Sequence, residues 1–214
     1  MKTDFSIQVA TINGSGSQSS NQVLARSLFR MGIPVGAKNL FPSNIAGLPT
    51  WFTIRVSVDG FTARKETSDI YVSMNPDTLA QDLENVSADG LFFYNSDLKW
   101  DEELLKNSPV QKVAIPFKEL IKDVSDSVRL KKLLVNMAYV GVLAELLKIP
   151  EATLEESLKD QFKGKEAVIG PNRDSVQAGL KYAKEHLKDL NFPFSVKATS
   201  LGSQGKILID GNTS

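Results

Sequence analysis

Apolar and polar residues alternate over short runs in the first half of the chain, a pattern that is typical of β-strands half-buried in a sheet. Five runs predict strands, by alternation or by their content of β-branched and aromatic residues: residues 5–10, 51–58, 69–74, 90–94 and 110–115. A further extended piece begins at Pro34 and leads into a long loop. Asp59 and Gly60 are typical of a tight hairpin turn, so residues 61–64 are expected to form the return strand. A hairpin among alternating strands and helices predicts a mixed sheet.

Helical periodicity follows the first strand and dominates the second half of the chain. The first helix is predicted to begin after an N-cap at Ser19 or Ser20 and to end near Met31, where Gly32 stops it. Four further helices are predicted from the positions of apolar residues and of helix-starting prolines: residues 76–83, 128–147, 150–162 and 172–190. The helix predicted at residues 128–147 carries an apolar stripe wide enough for deep burial. Its Gly141 would let a neighbouring element come close.

Strands that alternate with helices predict an α/β fold. We expect a three-layer α/β/α arrangement with a mostly parallel mixed sheet, one hairpin and a helical C-terminal half. Residues 1–190 are expected to form one domain. Residues 191–214 contain Pro193, several Gly and Ser residues and one apolar run, and we expect them to be a linker to a further domain absent from this chain.

Composition narrows the functional classes. Lys plus Arg and Asp plus Glu both total 25, and a chain without a basic excess is not expected to be a dedicated nucleic-acid binder. The chain has no Cys, which excludes Cys-ligated zinc or iron–sulfur centres within it, and its single histidine, His186, excludes a His-based metal cluster. The lack of Cys and the single His favour an accessory domain without its own metal site. No apolar run is long enough for a bilayer and no signal-peptide pattern is present, so we expect a cytoplasmic location and no membrane partner.

A loop of small residues follows the first strand, NGSGSQSSN at residues 13–21. Its glycines would let the backbone approach a phosphate, and its side chains and the amides of the next helix would donate hydrogen bonds to that phosphate. The candidate phosphate-binding residues are Gly14, Ser15, Gly16, Ser17 and Gln18. The loop lacks the third glycine of a dinucleotide fingerprint and the lysine of a P-loop. A tight turn without a ligand is the alternative, and the pattern alone leaves both open.

A second loop, predicted over residues 38–51, mixes polar residues with large apolar ones. A loop that carries Phe41, Ile45, Leu48 and Trp51 is expected to dock on another surface. Two prolines stiffen it, so its polar groups would lose little entropy on binding. The candidate ligand-binding residues here are Lys38, Asn39, Ser43 and Asn44, together with Arg55 from the following strand. The alternative is a structural loop whose aromatic residues fill the local core.

Several stretches of the chain resemble a known protein family. They are residues 13–21, MGIPV at 31–35, KNLFPSNIAGLPTW at 38–51, IRV at 54–56, Met74 with Asn75, and NMAYVGV at 136–142. Together they resemble the N-terminal gamma domain of 2-oxoacid:ferredoxin oxidoreductases, most closely the alpha subunit of 2-oxoglutarate:ferredoxin oxidoreductase, in which gamma and alpha domains are fused. The long loop motif is specific, and the resemblance covers nearly the whole chain. Gly211 and Asn212 resemble the start of the alpha (pyrimidine-binding) domain, to which residues 191–214 would then be the linker.

The resemblance implies a complex that oxidatively decarboxylates a 2-oxoacid, with 2-oxoglutarate as the expected substrate, to an acyl-CoA and reduces ferredoxin. It implies thiamine diphosphate with Mg, a 4Fe-4S cluster and coenzyme A as cofactors of the complex, none of them bound by this chain alone. The partners would be the remainder of the alpha subunit, the beta subunit and, through the complex, ferredoxin. The five polar residues of the second loop and its following strand would face the active-site mouth or coenzyme A. The isolated chain would be inactive.

A free-standing nucleotide- or partner-binding α/β module without catalysis is the alternative function. A frame that continues past residue 214 into an alpha domain would favour the oxidoreductase, and a stop codon without alpha or beta neighbours would favour the free-standing module. An independent hydrolase or transferase is a weaker third option, which turnover by the isolated chain would support.

Overall fold

The structure, a computed structural model, describes residues 1–41 and 45–198. These residues form one six-stranded sheet flanked by helices. The strands are β1 (Asp4–Ile12), β2 (Val35–Leu40), β3 (Pro49–Ser57), β4 (Ser68–Ser73), β5 (Val86–Asn95) and β6 (Gln111–Ile115). The helices are α1 (Ser17–Arg30), α2 (Leu79–Glu84), α3 (Glu102–Asn107), α4 (Phe117–Leu120), α5 (Val128–Leu147), α6 (Glu151–Gln161) and α7 (Glu166–His186), with a 3-10 turn at Pro76–Thr78 before α2.

The strand order is β2-β3-β1-β4-β5-β6. The pairs β1–β4, β4–β5 and β5–β6 are parallel, whereas β3 runs antiparallel to both β1 and β2. The predicted α/β class is therefore confirmed, with a mixed, mostly parallel sheet, one N-terminal hairpin and a helical C-terminal half.

The position of the hairpin differs from the prediction. Asp59 and Gly60 do follow β3 in a turn, in which the Gly60 N–H donates to the Ser57 carbonyl at 3.2 Å. Residues 61–64, however, form no strand, so the predicted return strand is wrong. Both edges of β3 are already paired, one with β1 and the other with β2, so no edge is free for a further strand. The hairpin consists of β2 and β3 instead.

Each face of the sheet buries its own apolar cluster. One face, which includes Ile7, Ile54 and Val72, packs in the main core against α1, α5 and α7. The opposite face carries a smaller cluster, in which Tyr71 and Phe92 pack against apolar residues of α2 and α3. The two clusters on opposite faces give the expected three layers.

Helices α5 and α7 cross at very short range. A Cβ atom on Gly141 would lie 2.1 Å from the Val176 carbonyl oxygen, and one on Gly179 would lie 2.0 Å from the Ala138 carbonyl oxygen. Each helix therefore places a glycine against the backbone of the other. The expectation that Gly141 admits a close neighbour is confirmed.

Several element boundaries depart from the sequence expectation. Helix α1 begins at Ser17, with Gly16 at its N-cap position and no side-chain cap, so the predicted caps at Ser19 and Ser20 lie inside the helix. Helix α7 begins at Glu166 and contains Pro171, and the short helices α3 and α4 were not predicted.

The first part of the predicted linker packs on the domain. Phe194 is fully buried, with its ring centroid 5.3 Å from that of Phe5, and the Ser195 N–H donates to the Lys2 carbonyl at 3.0 Å. The apolar run predicted at residues 206–210 lies outside the described residues.

Candidate functional site

The glycine-serine loop joins β1 to α1 through two left-handed residues. Gly14 has φ +88° and Gly16 has φ +83°, a backbone region in which a side chain is strained. The loop is held to the segment before β3, since the Asn13 N–H donates to the Leu48 carbonyl at 2.8 Å and the Gly47 N–H donates to the Asn13 carbonyl at 3.0 Å. The sequence places glycine where the chain must turn sharply from strand to helix.

The N-terminus of α1 opens onto a cleft of about 310 Å³, which we name the helix cleft. Its N-cap, Gly16, provides no side-chain cap, and the first turn of α1 contains no acidic residue. The backbone N–H groups and dipole at such a helix end favour an anion. The cleft is lined by Thr11, Asn13, Gly14, Gly16, Ser17, Gln18, Ser19, Asn21, Asn39, Thr50 and Phe52.

Asn39 and Thr50 form the wall of the helix cleft that comes from the hairpin. The Thr50 hydroxyl donates to Asn39 Oδ1 at 3.1 Å. Asn39 Nδ2 forms no hydrogen bond with the residues that the structure describes, so it can donate to a ligand. On the opposite wall, the hydroxyls of Ser17 and Thr11 share a hydrogen bond of 2.8 Å. The cleft is thus lined by neutral donors around a helix N-terminus.

Helix α5 supports the glycine-serine loop from the core side. Asn136 Nδ2 donates to the Ser15 carbonyl at 2.8 Å, and the Tyr139 hydroxyl donates to Asn21 Oδ1 at 2.8 Å. Burial raises the pKa of Tyr139, so this hydroxyl stays a donor at ordinary pH. The Ser15 hydroxyl is buried on the same side and has no hydrogen-bond partner among the described residues.

Lys38 and Arg55 lie apart from the helix cleft, on the other face of the sheet. They line a second cleft of about 440 Å³, which we name the basic cleft, together with Lys65 and Arg64. Arg55 is 7% exposed, and its Nη2 lies 2.7 Å from both carboxylate oxygens of Asp4. This guanidinium lowers the pKa of Asp4 to about 2.

The apolar residues of the second loop divide into two groups. Phe41, Ile45 and Leu48 are exposed. Trp51 instead belongs to β3, is half-buried, and donates from its indole N–H to Asp82 Oδ1 at 2.9 Å. Ser43 and Asn44 lie outside the described residues, so their predicted contacts stay predictions.

Asp82 is a fully buried carboxylate beneath the second sheet face. Besides Trp51, it accepts hydrogen bonds from Tyr71, Ser73 and Thr78, at 2.7, 2.8 and 2.9 Å. Burial outweighs these four donors and raises the pKa of Asp82. The network joins β3 and β4 to the turn that starts α2, so its role is structural.

Several residues that shape the helix cleft were not among the candidate ligand-binding residues, although all but Thr11 lie within the stretches that carry the family resemblance. Thr11, Asn21 and Thr50 line it, and Asn136 and Tyr139 hold its loop from α5. The sequence signal for Thr11 was its position next to the loop, whereas Thr50 and the α5 residues come from distant segments. Within residues 1–41 and 45–198, no group of three or more His, Cys, Asp or Glu residues could hold a metal ion. In that same part of the chain, no helix combines the length and apolar character of a membrane span.

The sequence pattern of one protein family matches most of the chain. The pyruvate ferredoxin/flavodoxin oxidoreductase pattern covers residues 6–182. The chain belongs to this family. It is a gamma-type domain of the 2-oxoacid:ferredoxin oxidoreductases within it.

Among relatives of this oxidoreductase domain is the alpha subunit of 2-oxoacid:ferredoxin oxidoreductase 2 from Aeropyrum pernix. The two are 21% identical over 219 residues, which cover 85% of this chain and 34% of the relative. A similar solved structure is that of 2-oxoglutarate:ferredoxin oxidoreductase from Magnetococcus marinus, with 2-oxoglutarate, coenzyme A and succinyl-CoA bound. The similarity covers 92% of this chain and 34% of that chain, with a TM-score of 0.77 and 28% sequence identity. The gamma-type domain thus spans about a third of the length of these relatives.

Two shorter solved chains share the fold over nearly their whole length. A pyruvate oxidoreductase subunit from Thermotoga maritima has a TM-score of 0.67 and 21% identity, over 84% of this chain and 97% of its own. The gamma subunit of a keto/oxoacid ferredoxin oxidoreductase from Geobacter sulfurreducens has a TM-score of 0.66 and 15% identity, over 85% of this chain and 99% of its own. At these identities the likeness shows the fold.

Proposed function

We propose that this chain is the gamma-domain part of a complex that oxidatively decarboxylates a 2-oxoacid to an acyl-CoA and reduces ferredoxin, and that its helix cleft binds a phosphate of coenzyme A. One observation carries the proposal: the uncapped N-terminus of α1 opens into a cleft whose other wall presents Asn39. Backbone N–H groups at a helix N-terminus stabilise phosphate by charge and by hydrogen bonding. The coenzyme A in the Magnetococcus marinus structure supports this choice of ligand.

Different residues of the helix cleft would make different contacts with the phosphate. The left-handed Gly14 and Gly16 let the phosphate approach the backbone, and the first amides of α1, at Ser17 and Gln18, would donate to its oxygens. Asn39 would add a side-chain donor from the facing strand. Coenzyme A supplies the thiol that accepts the acyl group. The structure separates Lys38 and Arg55 from this cleft, and we assign no coenzyme A contact to them.

The other cofactors would be held elsewhere in the complex. A 4Fe-4S cluster needs cysteine ligands, which this chain lacks. Thiamine diphosphate, Mg and the cluster would therefore belong to the alpha and beta parts, and this chain alone would be inactive. The proposed substrate is 2-oxoglutarate, because the 28% identity to the 2-oxoglutarate enzyme exceeds the 21% identity to the pyruvate enzyme subunit.

The test uses the assembled complex with Asn39→Ala. Loss of one hydrogen bond to a charged phosphate should cost about 1.5 kcal/mol, which corresponds to a roughly tenfold higher KM for coenzyme A. The KM for the 2-oxoacid should stay within about twofold, since Asn39 would contact coenzyme A only. Lys38→Ala is the matched control, because it alters the next residue on the opposite face. An unchanged KM for coenzyme A in Asn39→Ala would reject the phosphate site.

Two further measurements separate the complex from its alternative. Purification of the native protein should recover alpha and beta partners, whereas a free-standing binding module would purify alone. Turnover with 2-oxoglutarate should exceed turnover with pyruvate. The reverse preference would reject 2-oxoglutarate as the substrate but would not contradict the proposed coenzyme A site.

A further inference from the structure

The basic cleft lies on the sheet face opposite the helix cleft. Its four basic residues come from two strands and one loop: Lys38 from β2, Arg55 from β3, and Arg64 and Lys65 from the segment between β3 and β4. Thr62 from the same segment covers the strand at Gly36, where a Cβ atom would lie 2.5 Å from the Thr62 carbonyl oxygen. A side chain at position 36 would push this segment away, so the glycine lets it form one wall of the cleft.

Two acidic residues beside the basic cleft are already engaged. Asp4 pairs with Arg55 at 2.7 Å and with Lys65 at 3.4 Å. Asp69 pairs with Lys65 at 3.2 Å and accepts a hydrogen bond from the Ser6 N–H at 2.8 Å. These two carboxylates therefore balance only the two paired cations of the cleft.

Lys38 and Arg64 remain without a counter-ion. Among residues 1–41 and 45–198, neither side chain forms an ion pair or a hydrogen bond, and both residues are exposed. Two unpaired cations at one cleft create a local positive potential in a chain whose formal net charge is zero. A ligand with two negative charges would neutralise both.

Hydrogen-bond donors in the wall of the basic cleft are also unpaired. Arg55 is more than nine-tenths buried, and its Nη atoms bind Asp4 and the carbonyls of Phe5 and Val56. Its Nε is buried without a partner. The Thr62 hydroxyl also has no partner within the described part of the chain. Because Thr62 is exposed, its hydroxyl is available to donate to a ligand oxygen in the cleft.

We propose that the basic cleft is a second anion site, separate from the helix cleft, which binds the phosphate group of a phosphorylated small molecule. Lys38 and Arg64 would supply the two charges, and the Thr62 hydroxyl would supply a further donor. The cleft volume of about 440 Å³ is within the range of small-molecule sites. The site does not depend on the helix cleft, because no residue lines both.

To test this, the 214-residue chain is titrated with inorganic phosphate and, separately, with glycerol 3-phosphate. Binding is measured from the amide chemical shifts by NMR. Shifts should appear at residues 36–38 and 62–65. Lys38→Gln and Arg64→Gln should each weaken binding about tenfold, as expected for a lost charge-assisted contact. Lys181→Gln, an exposed lysine on α7, is the charge-matched control and should change binding less than twofold. Tighter binding of glycerol 3-phosphate than of phosphate would support a phosphorylated ligand, and equal binding would support the free ion at the same site.

Asn39→Ala separates this proposal from the coenzyme A proposal. Asn39 lies next to Lys38 but in the helix cleft, so its loss should leave phosphate binding at the basic cleft unchanged. Shifts confined to residues 14–18, with binding lost in Asn39→Ala and retained in Lys38→Gln, would overturn the second site and support the first. Equal loss in Lys38→Gln and Lys181→Gln would also overturn it, because binding would then follow net charge alone.

Discussion

Lys38 and Asn39 are neighbours in β2, yet their side chains belong to different clefts on opposite faces of the sheet. Asn39 accepts a hydrogen bond from Thr50 in the helix cleft, whereas Lys38 lines the basic cleft with Arg55. Successive side chains of a strand point to opposite faces, so this separation follows from the backbone. Residues that are adjacent in the sequence motif therefore need not share a ligand.

The first prediction concerns the left-handed start of α1. Gly16→Ala should raise the KM for coenzyme A several-fold in the complex, because its Cβ would lie 2.9 Å from Leu133 Cδ2 and displace the loop. Gly60→Ala is the control, since Gly60 has a similar φ of +87° and open space around it. Both variants should lose about 1–2 kcal/mol of unfolding free energy from backbone strain. If both raise the KM equally, strain rather than loop position is responsible.

The second prediction concerns the crossing of α5 and α7. Gly179→Ala should lower the unfolding free energy by at least about 2 kcal/mol, because the added Cβ would overlap the Ala138 carbonyl and force the helices apart. Gly170→Ala, in the same helix but with open space at its Cβ, should change stability by less than about 1 kcal/mol. Urea unfolding monitored by circular dichroism measures both. Similar losses at the two positions would contradict close packing at Gly179.

The third prediction concerns the ion pair of Asp4 and Arg55. The pKa of Asp4 is about 2 in the folded chain, below its ordinary value of 3.8, so folding favours the ionised form. Its contribution to stability is therefore present above about pH 4 and is lost as the pH falls toward 2. Since Asp4 is partly exposed, we expect Asp4→Asn to cost about 1 kcal/mol at pH 6.

The measurement is the unfolding free energy of both proteins from pH 2 to pH 6. The difference between wild type and Asp4→Asn should shrink as the pH falls. A difference that stays constant over this range would show that Asp4 titrates normally in the folded chain.

The fourth prediction concerns Asp82, whose pH dependence has the opposite sign. Burial raises its pKa above 3.8, so the folded state holds a proton that the unfolded state has released. Stability should therefore fall as the pH rises above about 4 through the folded pKa. Asp82→Asn should remove this slope.

The asparagine variant can keep the hydrogen-bond network. Trp51 and Tyr71 donate to Oδ1, which asparagine retains, and the hydroxyls of Ser73 and Thr78 can accept from its Nδ2. Asp82→Ala leaves four donors without an acceptor and should cost about 3 kcal/mol or more. An unchanged pH slope in Asp82→Asn would assign the dependence to another group.

The sequence predicted the fold class and most elements because apolar periodicity records which face of each element is buried. Residues 128–147 were predicted as a deeply buried helix and form α5. The hairpin was misplaced because the partners of β3 are set by distant strands, and a local turn at Asp59 and Gly60 cannot reveal that both edges are occupied.

The candidate site could be predicted only in its local part. The glycine-serine loop was visible because left-handed turns require glycine. Arg55 appeared to be an available cation, since its partner Asp4 lies 51 positions away and becomes a neighbour only in the sheet. Likewise, Asn39 reads as a loop residue until β2 is seen to continue to Leu40.

Helix α5 links the loop to the domain interior, since Asn136 and Tyr139 reach the loop from a helix buried along much of its length. Loosening of the loop would therefore break hydrogen bonds to the interior that supports it. A molecule bound there stabilises the native state as a whole. Occupancy should then raise the melting temperature and slow amide hydrogen exchange even in strands remote from the cleft.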